Sequence, residues 1–392
     1  MATSTDVLLV TANVGTLFEK LSKIQDGWLQ ELYTTVDKYQ PRFVAMHFQE
    51  VGGKNYKANM ASAETFFKTI ESRLSDFDRV CVYIDSDFKT EDNFTALGNI
   101  YFIHKSLENV QQYDFSGKEF RSVSGRNTYT GSFCRVTTVK KEKFQRAFWP
   151  DQNWSRKGYM KTRWMIHNQA LDLVNVHLFH DASNLKACES EFSVFSKNRH
   201  NALKYVIGRI FEGDLVPVPY FLFGDFNFRL DTKSLIQDLS TSTEKKIVMK
   251  KGTKEVEKII YKEKDNGSED ALLQIEYKTF KYPHNKLFKD GTGQELRKYD
   301  KETEAFKEIT EEEIFFPPSY PYSEDPEKPT EYMTTRCPSW CDRILMSHSA
   351  EEKICRKSDA GKNTVYNIIG PNVCMGDHKP VFLFFALQSN VQ

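Results

Sequence analysis

In FLFGDFNFRL (221–230) an apolar run ends at Gly224, and Asp225, Asn227 and Arg229 then stand at every second position. Side chains two apart in an extended segment share a face. A carboxylate and an amide would therefore emerge together at a strand end, joined by Arg229 where the strand continues. Such a pair suits a site that deprotonates and aims a water, and Gly224 admits a close backbone or ligand. Taken alone, the stretch reads equally well as a strand end followed by turn residues.

Recurrence changes that balance. LLVTANVG places Asn13 after an apolar run, VAMHFQEVGG places Gln49 and Glu50 after another, and DLVNVHLFHD puts Asn175 and His177 on one face with His180 beyond. PSWCDRILM sets Asp342 just before a strand, and GPNVCMGDHKPVFLFF sets Asp377 and His378 just before the last one. Lone histidines such as His47 and His104 are more often structural and receive no role. Oxygen donors such as Glu50 and Asn13 suit Mg²⁺, which would offset phosphate charge during phosphoryl transfer. Asp225 is placed to take a proton from the attacking water, and a donor histidine to hold a phosphoryl oxygen.

The elements that must position these groups follow from the hydrophobic pattern. Strand-like runs lie at 7–14, 42–48, 80–84, 99–105, 163–168, 170–179, 219–228, 343–346 and 379–387, rich in β-branched and aromatic residues. Helical periodicity marks 28–39, 60–74 and 191–211. The alternation predicts an α/β protein with strands buried against a partner layer. Residues 241–313 are dense in both charges and read as a solvated, partly helical insertion; 315–329 is a proline-rich loop. No second domain is evident, so residues 1–392 are read as one catalytic domain.

The chain carries 54 basic and 54 acidic residues, which removes the basic excess expected of a general nucleic-acid binder. No signal-peptide pattern opens it and no apolar run approaches the roughly 20 residues of a membrane span. The seven cysteines are scattered, and Cys337 and Cys341 lack a second pair that would complete a zinc site. Reduced thiols in a cytoplasmic protein are the expectation, which makes the Asn-x-Ser/Thr triplets at Asn93, Asn153 and Asn266 uninformative.

FLFGDFNFRL, CPSWCDRILM and the closing GDHKPVF resemble the signature motifs of the inositol polyphosphate 5-phosphatases, members of the endonuclease/exonuclease/phosphatase superfamily. The resemblance runs in order from TANVG to DHKPV. HFQEVGGKNY, NVHLFHDASNL, FPPSYPYSED and IGPNVCMGDHKPVF are most similar to the type I members, which act on inositol 1,4,5-trisphosphate. The resemblance implies a four-layer α/β/β/α sandwich of two mixed sheets and dependence on Mg²⁺. It implies Glu50 as principal metal ligand supported by Asn13, with Asp377 near the metal. Asp225 would activate the water and Asn227 position it. His378 would contact the scissile phosphate, held by Asp342, and His177 would assist the phosphoryl oxygens. Lys157, in WSRKGYM, is implied to touch substrate, with Arg336, Arg343, Lys379 and Tyr320 in support.

Three departures bear on specificity. Tyr320 is followed by Pro321 where many lipid-acting relatives have Tyr-Lys, and Thr334 replaces the lysine of their Lys-x-Arg while Arg336 is kept. Each missing ammonium removes a charge-assisted contact to phosphate, which favours a soluble inositol polyphosphate held by Arg336 and residues of the charged insertion. The chain ends Ser389-Asn390-Val391-Gln392, without the cysteine a prenyl anchor needs, so membrane association, at most peripheral at the plasma membrane, is left open. A monomer is expected, with no nucleic-acid partner. The rival readings are a lipid 5-phosphatase, a nuclease or phosphodiesterase of the same fold, and a non-catalytic phosphoinositide-binding scaffold. The wording PSWCDRIL argues against the nuclease and the complete set of site residues against the scaffold.

Overall fold

A computed structural model describes residues 4–146, 156–213, 215–263, 271–288, 291–356 and 361–389. The triplets at Asn153 and Asn266 and the last three residues lie outside them. Two eight-stranded mixed sheets form the body. In the first, the strand Ser4–Asn13 is central: it runs parallel to Phe43–Gln49 and antiparallel to Val381–Gln388. In the second, Gln169–His177 runs parallel to Tyr220–Asp225, which pairs antiparallel with Asp342–Ser347.

Period-two alternation sorts each strand between two apolar layers. Val7, Leu9, Phe43 and Ala45 of the first sheet meet Leu171, Leu173, Phe221 and Phe223 of the second in the central core. Their neighbours Leu8, Val10, Val44 and Met46 face the other way and pack on Trp28, Leu32, Phe66 and Phe67, carried by the helices Leu21–Tyr39 and Tyr56–Arg73. On the far side Val174, Val176 and Leu222 pack on Leu203, Val206 and Ile207 of the helix Val194–Ile210. The four-layer α/β/β/α arrangement expected from the motifs is therefore present.

The insertion is chiefly β rather than helical. Thr243–Met249, Val256–Glu263, Leu273–Glu276 and Thr279–Lys281 form a four-stranded antiparallel sheet. Among its described residues helical turns are confined to His284–Leu287, Gln294–Tyr299 and Glu302–Ala305. One face of this sheet, with Tyr261, Leu273, Ile275 and Phe280, joins the central core, which explains how a segment so rich in charge still folds onto the body. Among the described residues no helix is long and apolar enough to cross a membrane.

The sheets are also braced by a buried polar seam. Asn175 Nδ2 donates to the Phe48 and Gly98 carbonyls at 3.1 and 3.2 Å and to Asn99 Oδ1 at 2.8 Å, while its Oδ1 accepts from Gln49 at 2.8 Å. His47 stacks on Phe223 with ring centroids 3.6 Å apart and meets the Tyr101 hydroxyl at 3.0 Å. These satisfied groups fix the relative position of the sheets directly beneath the site.

Candidate active site

Asn13, His177 and Asp225 are the last residues of their strands, and Glu50 follows the end of its own. Asp342 is the first residue of an antiparallel strand, and Asp377 and His378 precede another. Parallel strands finish, and antiparallel strands begin, at the same rim, so residues up to 365 positions apart meet at one mouth. Gly224 makes this possible. A Cβ there would lie 1.9 Å from the Val176 carbonyl oxygen, so only glycine lets the Asp225 strand sit beside the His177 strand.

The comb at 225–229 does not continue as a strand. Extended structure stops at Asp225, and Asn227 turns into the left-handed region at φ 53°, which asparagine tolerates better than most residues. The turn still brings the two side chains together. Asp225 Oδ1 accepts from the Asn227 backbone N–H at 2.9 Å, and Oδ2 from the Asn227 amide at 3.1 Å and the Asn13 amide at 3.0 Å. Arg229 Nη2 donates to Asn227 Oδ1 at 2.7 Å, and the Asn227 amide also donates to the Leu178 carbonyl at 3.0 Å. Both ends of that amide are therefore fixed.

His378 Nδ1 lies 2.8 Å from Asp342 Oδ2, and the Ser319 hydroxyl donates to the same oxygen at 2.8 Å. Burial opposes a cationic imidazole, but Asp342, Asp377 and Asp225 outweigh it and push His378 up to about 10. Burial also raises Asp342, to about 6, against the pull of the His378 imidazole. Burial works against ionised Asp225 as well, yet His378, His177 and Lys157 hold its carboxyl well below the usual range. Asp225, Asp342 and His378 offer ligand-type atoms within 4.8 Å of one another. His378 carries the cation this cluster needs, so it is read as a proton-handling group.

A second set of oxygens suits a hard metal. Glu50 adopts φ 56°, an uncommon backbone state for a glutamate and one that clusters at functional sites. Its Oε2 and Asn13 Oδ1 converge over Gly15: the point where a Cβ at residue 15 would sit is 2.7 Å from the first and 3.3 Å from the second. Asp377 Oδ1 accepts from the Thr16 hydroxyl at 2.8 Å, and Glu324 accepts from it at 3.1 Å. Burial works against Glu50's charge, but Lys157, His177 and Arg156 hold its carboxyl down to about 2. Carboxylate and amide oxygens above a glycine that keeps the space open fit a small oxygen-seeking cation.

His177 lies between the two sets, its Nε2 3.3 Å from Asp225 Oδ2 and 3.7 Å from Glu50 Oε1. Burial and Lys157 lower its pKa, against the pull of Asp225 and Glu50. Lys157 Nζ touches His177 Nε2 and lies 3.9 Å from Glu50 Oε1. Tyr320 sits with its ring centroid 4.4 Å from that of His378 and 4.6 Å from the Arg229 guanidinium. Arg336, half-buried, donates to the Asp181 carbonyl at 3.1 Å beside them.

Two basic residues expected at the substrate are elsewhere. Arg343 is fully buried, with Nε and Nη2 on Glu311 at 2.8 and 2.6 Å and Nη1 on Asp300 at 2.9 Å. Lys379 is equally buried and donates to the Gly370 carbonyl at 2.8 Å and to that of Val373. Their motif positions are real, but their donors are consumed by internal acceptors, and both brace the fold. Conversely, Thr16 and Ser319 escaped the sequence reading.

Residues 268–384 match the family model Endonuclease/Exonuclease/phosphatase family 2. Inositol polyphosphate-5-phosphatase A of Homo sapiens is 48% identical over 389 residues, covering 98% of this chain and 94% of that protein. A probable type I inositol 1,4,5-trisphosphate 5-phosphatase of Caenorhabditis elegans is 35% identical over 413 residues, covering 97% and 99%. Among solved structures, the inositol polyphosphate 5-phosphatase domain of SPsynaptojanin, in complex with inositol (1,4)-bisphosphate and calcium, aligns with TM-score 0.50 at 15% identity, covering 99% of this chain and 85% of that one. A Cimex nitrophorin aligns with TM-score 0.51 at 14% identity, covering 99% and 100%. These two speak to the fold alone. With near-full-length identity to two relatives and a complete constellation at the strand ends, the chain belongs to the inositol polyphosphate 5-phosphatases.

Proposed function

We propose that the enzyme is a Mg²⁺-dependent phosphomonoesterase that removes the 5-phosphate from soluble inositol polyphosphates. Inositol 1,4,5-trisphosphate is the leading substrate and the 1,3,4,5-tetrakisphosphate a second. The observation that carries this reading is the convergence of Glu50, Asp225 and His378 at one mouth. Glu50 and Asn13 would hold the cation, with Asp377 beside them. A bound divalent cation supplies charge neutralisation on the phosphoryl oxygens as the bond breaks.

The remaining steps belong to side chains. Asp225 is kept ionised by its amide donors and neighbouring cations, so it is ready to accept a proton from water. Asn227, clamped by Arg229, keeps its amide on Asp225 and so fixes the orientation of that carboxylate. His378 uses Nδ1 on Asp342, which leaves Nε2 and the positive charge for a phosphoryl oxygen. Lys157 and His177, whose Nε2 lies 3.3 Å from Asp225 Oδ2, add donors beside Asp225.

Hydrolysis of such a phosphate would end a calcium-mobilising signal, and a cytoplasmic monomer is the matching expectation. A substrate panel tests the proposal: phosphate release from inositol 1,4,5-trisphosphate, the tetrakisphosphate, the matching 4,5-bisphosphate lipid in vesicles, and nicking of abasic DNA, each with and without Mg²⁺. Preference for a lipid or DNA over the soluble phosphates, or full activity in chelator, would overturn it.

A further inference from the structure

The first two strands of the insertion carry an apolar face out of the core into solvent. Thr243–Met249 and Val256–Glu263 pair antiparallel, so residues opposite one another share a face. One face consists of three such pairs: Lys245 with Tyr261, Ile247 with Ile259, and Met249 with Val256. At its base Tyr261 is 9% exposed and belongs to the central core, and Ile259 packs against that core. Further out the face stays apolar while its cover ends: Ile247 is 49% exposed, Met249 46% and Val256 37%. Single apolar residues are ordinary on a surface; three on adjacent rows of one face form a contiguous patch, the kind that marks a contact site. A cleft of about 320 Å³ beside Val256 and Ile259 is walled on its far side by Leu185 and Ile236, which extends the apolar ground toward the body.

Positive charge rims this face. Residues 243–263 hold seven lysines against four glutamates, with no arginine and no tryptophan. Lys250, Lys251 and Lys254, all exposed, lie in the turn beyond Met249 and Val256, which the Lys250 N–H closes on the Glu255 carbonyl at 2.9 Å. Among the described residues only Lys250 of the seven has a carboxylate at salt-bridge distance, Glu255 at 3.6 Å. The other ammonium groups are free to meet an outside anion. Composition then selects the partner. Protein interfaces favour arginine and aromatic residues and shed lysine, the reverse of this hairpin. Thr243–Met249 is also the outer strand of its sheet, where lysines such as Lys245 and Lys246 obstruct strand pairing with a second chain. Lysine stems lie along apolar surface while their heads reach out of it. An apolar patch rimmed by lysines therefore matches the boundary between headgroups and acyl chains of an anionic bilayer.

We propose that this hairpin is a peripheral docking device for an anionic lipid surface. Ile247, Met249 and Val256 enter between the headgroups, and the lysines of the turn meet the lipid phosphates and carboxylates. Without an embedded acyl chain such a contact is reversible. None of these residues belongs to the catalytic cluster, so the inference does not depend on the hydrolytic reading above.

The test is flotation of the whole chain with phosphatidylcholine vesicles, with and without phosphatidylserine, at low and high salt. No inositol lipid is present, so the catalytic mouth is offered no substrate. The wild-type chain should float with the serine lipid only and come off as salt rises. Lys250→Gln/Lys251→Gln/Lys254→Gln should weaken binding about 100-fold, at roughly 5-fold per lysine, and Ile247→Ser/Met249→Ser about 10-fold. The substituted side chains are exposed, so both variants should keep the wild-type melt; Met249→Ser alone repeats the apolar test if the double variant melts early. No flotation of the wild-type chain, or flotation that both variants retain, would overturn the inference. Loss in the lysine variant alone would overturn it too, since that is charge attraction without insertion. So would a wild-type dimer in sedimentation that Ile247→Ser/Met249→Ser dissolves, which makes the face an interface between copies.

Discussion

The charge on His378 is the most exposed point of the mechanism, and Asp342→Asn addresses it directly. The imidazole moves from an ordinary 6.5 to about 10 although burial opposes its charge, and Asp342 is the largest favourable cause. At about 1.4 kcal/mol per pKa unit, a rise of that size corresponds to about 5 kcal/mol of preference for the cation. An amide at 342 keeps the burial and removes the main counter-charge, so the His378 pKa should fall by at least about 2 units. The alkaline limb of kcat, expected near 10 for the wild type from the His378 pKa, should move below about 8, and kcat at that pH should drop about 10²-fold as the phosphoryl oxygen loses a cationic donor. Stability follows the same group. A raised histidine pKa contributes stability that is full below 6.5 and is lost as pH rises through about 10. The wild-type melting temperature should therefore decline across that window, and the Asp342→Asn curve should be flatter. A pH–rate profile with Mg²⁺ saturating, paired with an NMR titration of the His378 ring, reads both effects. An alkaline limb unmoved by the substitution would refute the reasoning.

Three further outcomes follow from the packing. Arg343→Met removes the buried cation shared by Asp300 and Glu311 and should cost about 3–5 kcal/mol, a drop of about 4–6 °C in Tm, with KM unaltered; a raised KM at unchanged Tm would instead place Arg343 at the substrate. Gly224→Ala puts a methyl group 1.9 Å from the Val176 carbonyl, so the pairing of the Asp225 and His177 strands should fail and soluble yield collapse; a wild-type melt would contradict the close approach. Glu50→Gln should raise the Mg²⁺ concentration for half-activation more than about 100-fold, beyond the loss typical of an outer partner, with little change in Tm. Unchanged Mg²⁺ dependence would remove Glu50 from the metal.

The strands that position the site were legible because their faces differ little in hydrophobicity and both are buried, giving continuous runs such as VLLVTANV and KPVFLFFAL. The recurrence of polar residues at their ends pointed to a common rim. Two things were hidden. Asn227 lies beyond its strand and returns through a left-handed turn, so the right partner was found for the wrong geometric reason. In the insertion, lysines and glutamates interleave with Ile247, Ile259 and Tyr261, and the charge density concealed an alternation that register makes plain: Ile247 pairs with Ile259, and Lys245 with Tyr261. Arg343 and Lys379 show the limit of motif reading. A cation's type says nothing of whether it faces substrate or, as here, Asp300 and Glu311 or the Gly370 carbonyl.

Asp225 is the proposed acceptor of the proton from the attacking water. Phosphate release from inositol 1,4,5-trisphosphate by Asp225→Asn, with Mg²⁺ saturating, measures this most directly. The prediction is a kcat lower by about 10²–10⁴-fold with inositol 1,4-bisphosphate still bound. A kcat within about 3-fold of wild type, in the same assay, would contradict it.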